Sequence, residues 1–79
     1  MLVIAGITTD HCVSTTVRMA GNLGYRTWVA ADACATFDRR DHTGRILAAE
    51  DVRQAAIASL HGEFATVAET DALIGAALP

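Results

Sequence analysis

The chain opens on an apolar run, Leu2-Val3-Ile4-Ala5-Gly6-Ile7, and then turns polar at Thr8-Thr9-Asp10-His11, with Cys12 at the head of the cluster. A parallel strand covered by helices on both faces reads as a continuous apolar run rather than an alternating one. Residues 2–7 are therefore predicted to form a strand. The period then changes: Val13, Thr16, Val17, Ala20 and Leu23 recur at helical spacing. Thr9 or Asp10 is placed to cap this helix, and Gly24 to stop it. The pattern predicts a helix from about Asp10 to Leu23. Thr27-Trp28-Val29-Ala30-Ala31 reads as a second strand. Strand, helix and strand at this spacing form a βαβ unit, with parallel pairing and a right-handed crossover.

Residues 32–47 carry Asp32, Asp38, Arg39, Arg40, Asp41, His42, Gly44 and Arg45, and read as a long loop. Ala49 to Leu60 is predicted as the second helix. Val52, Ala56 and Leu60 line one face, Ala55 and Ser59 lie beside them, and Gly62 ends the helix. Phe64 to Val67 reads as a third strand, and Thr70 caps a last helix through about Ala77. The order β-α-β-loop-α-β-α is that of an α/β layered protein. No repeat, linker or low-complexity segment interrupts it.

Composition narrows the picture. The chain has 79 residues and 52% hydrophobic content, but 16 of its residues are alanine. Alanine lets helices approach closely yet adds little buried area. A chain of this length buries only about 60–65% of its unfolded surface. The expectation is half a domain, completed by an upstream segment or by another copy of the chain. Net charge is −3, with six arginines and no lysine. No basic patch suggests nucleic acid, and no apolar run is long enough to span a membrane. No signal peptide is visible, so two cysteines read as reduced thiols and a cytoplasmic location is expected. No CxxC or spaced Cys/His quartet suggests structural zinc. A single-glycine strand end is not a dinucleotide fingerprint.

Position alone makes Cys12 a candidate nucleophile. It falls where a parallel strand ends and a helix begins, the edge at which open α/β sheets bind ligands. Unpaired N–H groups and the helix dipole there favour a thiolate. The bland reading is a small buried hydrophobe. Asp10 reads first as a helix cap or first-turn acid, and second as a residue orienting a catalytic group. His11 adjoins Cys12 in sequence, but neighbours in a helix point in different directions, so it is not assigned as a base. Asp32 is expected to hold loop backbone. Cys34 reads as a spectator, with a Cys12–Cys34 redox pair as the minor reading. Trp28 and Phe37 are core or interface aromatics, although Phe37, above the sheet edge, can also face a substrate. His42 and His61 lack metal-ligand spacing, and His61 at a helix end suits the last carbonyls. The charges at 38–41 read as a solvated run.

The segment Gly6-Ile7-Thr8-Thr9-Asp10-His11-Cys12-Val13, followed by Thr16, Arg18, Ala20 and Gly24-Tyr25, closely resembles the nucleophile segment of the isochorismatase-like cysteine hydrolases. That superfamily includes nicotinamidases, N-carbamoylsarcosine amidohydrolases and isochorismatases. The likeness continues through Asp32-Ala33 and Leu60-His61-Gly62-Glu63-Phe64-Ala65 and covers nearly the whole chain. The resemblance implies a Rossmann-like three-layer αβα fold with a parallel sheet, of which residues 1–79 are the C-terminal half. It implies that Cys12 attacks a small amide or related carbonyl substrate and forms an acyl-enzyme that water hydrolyses. It places a cis peptide at Ile7–Thr8 and an oxyanion hole at the backbone N–H groups of Thr8 and Cys12. His11 and Phe37 become candidates to line the pocket.

In the family, an aspartate base and a lysine come from the N-terminal half, and this sequence supplies no lysine. No cofactor is implied, and any metal is held by the other half. Relatives of true isochorismatases hydrolyse a vinyl ether, so the resemblance leaves the reaction open. The implied partners are a small-molecule substrate and either the N-terminal half or a second copy of the chain, with neither nucleic acid nor membrane. A non-catalytic assembly module, self-associating through the sheet edge at Leu2–Ile7, is the competing reading.

Overall fold

The computed structural model describes residues 1–77. Strand β1 (Leu2–Ile7) leads through a single wide π turn, Thr9–Val13, into α1 (Ser14–Asn22). Strand β2 (Thr27–Ala35) follows, then a short hairpin of β3 (Arg39–Arg40) and β4 (Ile46–Leu47). Helix α2 (Ala49–Leu60), β5 (Thr66–Ala68) and α3 (Thr70–Ala77) complete the order. The main sheet runs β1-β2-β5 with both pairings parallel, and β3 pairs with β4 antiparallel. This is an α/β, Rossmann-like fold.

The first strand, the second helix and the last helix fall where the pattern placed them. The predicted first helix starts differently. Neither Thr9 nor Asp10 caps it: the π turn has no side-chain cap, Thr9 is fully buried, and the Asp10 carboxylate bonds elsewhere. The Thr8 carbonyl instead accepts the His11 and Val13 amides, each at 3.2 Å. Gly24, at φ +88°, does close the helix.

The second strand is longer than its apolar run. Its register with β1 slips: β1 advances from Ile4 to Gly6 while β2 advances from Val29 to Cys34. The extra residues bulge out of the ladder, and Gly6, at φ +138°, takes the backbone angle that this mismatch needs. Hydropathy stopped the strand at Ala31, because Asp32 and Ala33 lie in the bulge. The predicted loop at 32–47 therefore contains the strand's end and the hairpin.

Asp38 and Asp41 are not simply solvated. Asp38 Oδ1 accepts the Ala49 amide at 2.8 Å and caps α2, and Asp41 Oδ1 accepts the Thr43 and Arg45 amides inside the hairpin turn. The buried residues of α2 are Ile57 and Leu60, with Val52 and Ala56 only half-buried. Strand β5 begins two residues later than expected, because Gly62–Phe64 form a turn.

The core gathers Val13, Val17, Val29, Cys34 and Leu60, with Ile4, Phe64, Ala65 and Val67 against it. It lies between the sheet and the adjacent helices α1 and α2, which contact each other, while α3 packs on β2 with Leu73 buried. Arg18 ties α1 to its neighbours: its guanidinium stands 4.8 Å over the Phe64 ring and donates to Ser59 Oγ at 3.2 Å. Strand β1 is an edge strand of the described sheet, and its Val3 and Ile7 side chains are exposed. Among the described residues no helix is long and apolar enough to cross a membrane.

Candidate functional site

The end of β1 and the π turn build the site. The Ile7–Thr8 peptide is cis, and the chain then wraps around the Thr8 carbonyl. This places Cys12 two residues ahead of α1, with its side chain exposed. Asp10, His11, Cys12, Thr15 and Thr16 line an open depression of about 430 Å³. The wide turn explains how His11 and Cys12 come to line one depression despite being adjacent in sequence.

Asp10 is the electrostatic centre. Its Oδ1 accepts Thr36 Oγ1 at 2.6 Å, and its Oδ2 accepts Arg39 Nε at 2.9 Å, with Arg39 Nη2 at 3.4 Å from Oδ1. Desolvation is the largest single effect on its titration and pushes it up. The bonds from Thr36 and Arg39, together with the Arg39 charge, outweigh it and hold the carboxyl below its ordinary value. Arg39 Nη2 also lies 3.4 Å from His11 Nδ1. Asp10 thus does not cap the helix: it is the anchor of the 36–39 segment. Sequence reasoning missed this pairing because Asp10 and Arg39 are 29 residues apart and only the fold brings them together.

The other candidates fall into place around this centre. Phe37 is exposed at 62%. Cys34 is buried in the core and its thiol donates to the Ala30 carbonyl at 3.3 Å; both cysteines are free. Burial is the main cause that pushes the Cys34 thiol up, away from thiolate chemistry. Asp32 Oδ1 accepts the amide and hydroxyl of Thr70, at 2.8 and 2.7 Å, so Asp32, not Thr70, caps the start of α3. His61 does not meet the last carbonyls of α2; its Nδ1 accepts the Val67 amide at 3.0 Å. Trp28 is half-buried at the opposite end of its strand from this site. Among the described residues no three His, Cys, Asp or Glu side chains gather as a metal set.

A parallel α/β sheet whose first strand ends in a cis peptide and an exposed cysteine, at the start of a helix, defines a class of Rossmann-like proteins with a strand-end site. The isochorismatase domain model matches residues 1–72 of the chain. The uncharacterized isochorismatase family protein YrdC of Bacillus subtilis is 49% identical over 73 residues, which cover 92% of this chain and 39% of YrdC. A second such protein of Bacillus subtilis, YddQ, is 40% identical over 73 residues and is covered to 40%. An isochorismatase family structure from Chromobacterium violaceum superposes with a TM-score of 0.90 at 42% identity, over 94% of this chain and 38% of the other. The chain belongs to the isochorismatase family, and it spans about two fifths of the length of these curated relatives.

Proposed function

We propose that this chain is the nucleophile-bearing, C-terminal half of a cysteine hydrolase that acts on a small amide or related carbonyl compound. The observation that carries the reading is the exposed Cys12, seated in the turn that follows the cis Ile7–Thr8 peptide. In this reading the Cys12 sulfur attacks the carbonyl carbon. A C–S bond forms and the carbonyl π electrons move to oxygen. The N–H groups of Thr8 and Cys12 stabilise that oxyanion. The amine leaves with a proton, and water hydrolyses the acyl-enzyme. His11 and Phe37 line the pocket. The base and a lysine come from a segment outside this sequence, which itself holds no lysine. The site uses no cofactor, and the cytoplasm is the proposed location, since it keeps the thiol reduced.

The exposed Val3 and Ile7 on edge strand β1 favour a partner on that edge: the N-terminal half of the domain or a second copy of the chain. They also support a second reading, a non-catalytic assembly module that self-associates there. Co-expression with a segment carrying the family aspartate and lysine separates the two readings. Hydrolysis of small amides that disappears with Cys12→Ala supports the enzyme. Hydrolysis that survives Cys12→Ala overturns the nucleophile assignment. A stable self-associated chain that never gains activity with the segment favours the module.

A further inference from the structure

The chain from Cys12 through α1 carries two stripes at helical spacing, and the described fold covers only one. Val13, Val17 and Ala20 are buried. Cys12, Thr15, Thr16, Met19 and Leu23 repeat on another face, and all are exposed, Met19 at 58% and Leu23 at 67%. A helix face left in water normally carries charge. This one carries none: the one charged residue of α1, Arg18, bonds Ser14 and Ser59 and stacks on Phe64. A second open depression, of about 350 Å³, lies along the stripe, with Leu2, Met19, Leu23 and Tyr25 in its lining. It shares Thr15 and Thr16 with the Cys12 depression. At Leu2 it meets β1, whose outer edge is unpaired and whose Val3 is exposed. The bare helix face and the bare strand edge are therefore one continuous surface.

The handedness of the sheet says what covers that surface. Both pairings of the main sheet are parallel. A strand that precedes β1 in the chain and pairs parallel on its open edge must reach it through a crossover, usually a helix. Such crossovers are right-handed. The added strand, β1 and β2 then follow one another in a single direction across the sheet, so the new helix falls on the face that α1 covers, beside α1. The uncharged stripe lies there. The match leaves roughly three fifths of YrdC uncovered, ample for a strand and a helix.

We infer that the stripe Thr15, Thr16, Met19 and Leu23, with Leu2 and Tyr25, is the seat of an apolar-faced helix belonging to the segment that leads into β1. The inference rests on the proposal that this chain is the C-terminal half of a longer domain, and it names what the other half must supply. Because the stripe runs into the Cys12 depression through Thr15 and Thr16, the same helix walls one side of that depression.

The test compares the 79-residue chain with a fusion in which the part of YrdC that precedes its matched stretch is joined in front of Met1. Thermal melts of both proteins are recorded for Met19→Glu, Leu23→Glu and Leu23→Met. Ile74→Glu, on α3 and 52% exposed, is the control. In the chain alone every one of these positions is exposed, so each variant stays within about 4 °C of the parent. In the fusion Met19→Glu and Leu23→Glu each lower the melting temperature by about 6 °C, as expected for a charge at a buried apolar contact. Leu23→Met, which keeps the apolar volume, recovers most of that loss. Ile74→Glu stays within about 2 °C of the parent fusion.

A fusion more stable than the chain but indifferent to Met19→Glu and Leu23→Glu overturns the helix seat alone. A fusion that melts as the chain alone does overturns the half-domain reading along with it. Sedimentation of the chain by itself tests the other occupant: a dimer that Leu23→Glu dissolves, beside a fusion that ignores the same change, assigns the stripe to a second copy and overturns the inference. None of these results bears on the nucleophile assignment, which fails separately if hydrolysis survives Cys12→Ala.

Discussion

Two glycines in helices offer the same substitution with opposite expected outcomes. Gly21 lies in α1 where it crosses the turn at 62–64. A Cβ built on it meets the Phe64 carbonyl oxygen at 2.7 Å, the Phe64 Cα at 3.1 Å and its carbonyl carbon at 3.3 Å. Ordinary contact begins at 3.4 Å. The obstacle is backbone, so no side chain can rotate away, and α1 or the turn must retreat by about 0.7 Å. Alanine gains about 1 kcal/mol over glycine from helix propensity. Overpacking a fitted contact costs about 1–3 kcal/mol, and the retreat also loosens Arg18 from the Phe64 ring and from Ser59. The balance is a net loss of up to about 2 kcal/mol for Gly21→Ala, a fall of up to roughly 15 °C in melting temperature for a chain of this size. Gly75 in α3 has nothing within 4 Å of the same Cβ. Gly75→Ala should therefore gain about 0.5–1 kcal/mol. Urea unfolding of both variants, followed by circular dichroism, gives the comparison directly. A Gly21→Ala midpoint at or above the parent's would refute the close approach of α1 to Phe64.

Three further outcomes are expected. Thr9 is fully buried, and its hydroxyl has no hydrogen-bond partner among the described residues. Thr9→Val, nearly the same shape, should be neutral or stabilising by about 1 kcal/mol, and a loss larger than that in chemical denaturation would mean the hydroxyl is satisfied. With Cys12 exposed and Cys34 buried, the native chain should release one equivalent of chromophore from a disulfide thiol reagent and a second only on unfolding; two equivalents from native chain would contradict the burial of Cys34. The bonds from Arg53 and then Gln54 lower the Glu50 carboxyl to about 2 from 4.5. A depressed folded-state value means that its contribution to stability is present above about pH 4.5 and is lost as the pH falls toward about 2. Carboxyl NMR titration should give that low midpoint, and Arg53→Ala should raise it toward the ordinary range, with the Gln54 bond still holding it below.

The hydrophobic pattern by itself determined the alternation of strands and helices. Leu2–Ile7 and Ala49–Leu60 have the predicted limits because an apolar run and a helical period are local properties. Parallel pairing followed from the length of the crossover. The residues from Gly6 to Val13 also carried the family, which the domain match over residues 1–72 supports. Tertiary structure decided the rest. The bulge that extends β2 to Ala35 depends on its register with β1, which no window of sequence contains. The helix caps are long-range: Asp38 serves α2 from 11 residues away and Asp32 serves α3 from 38. Asp10, which looks like a first-turn acid, bonds Thr36 and Arg39 instead of capping its helix, because they offer a hydroxyl and a charge. Sequence neighbours set the period of each element, but polar side chains choose partners by distance in space, and only the folded chain fixes those distances.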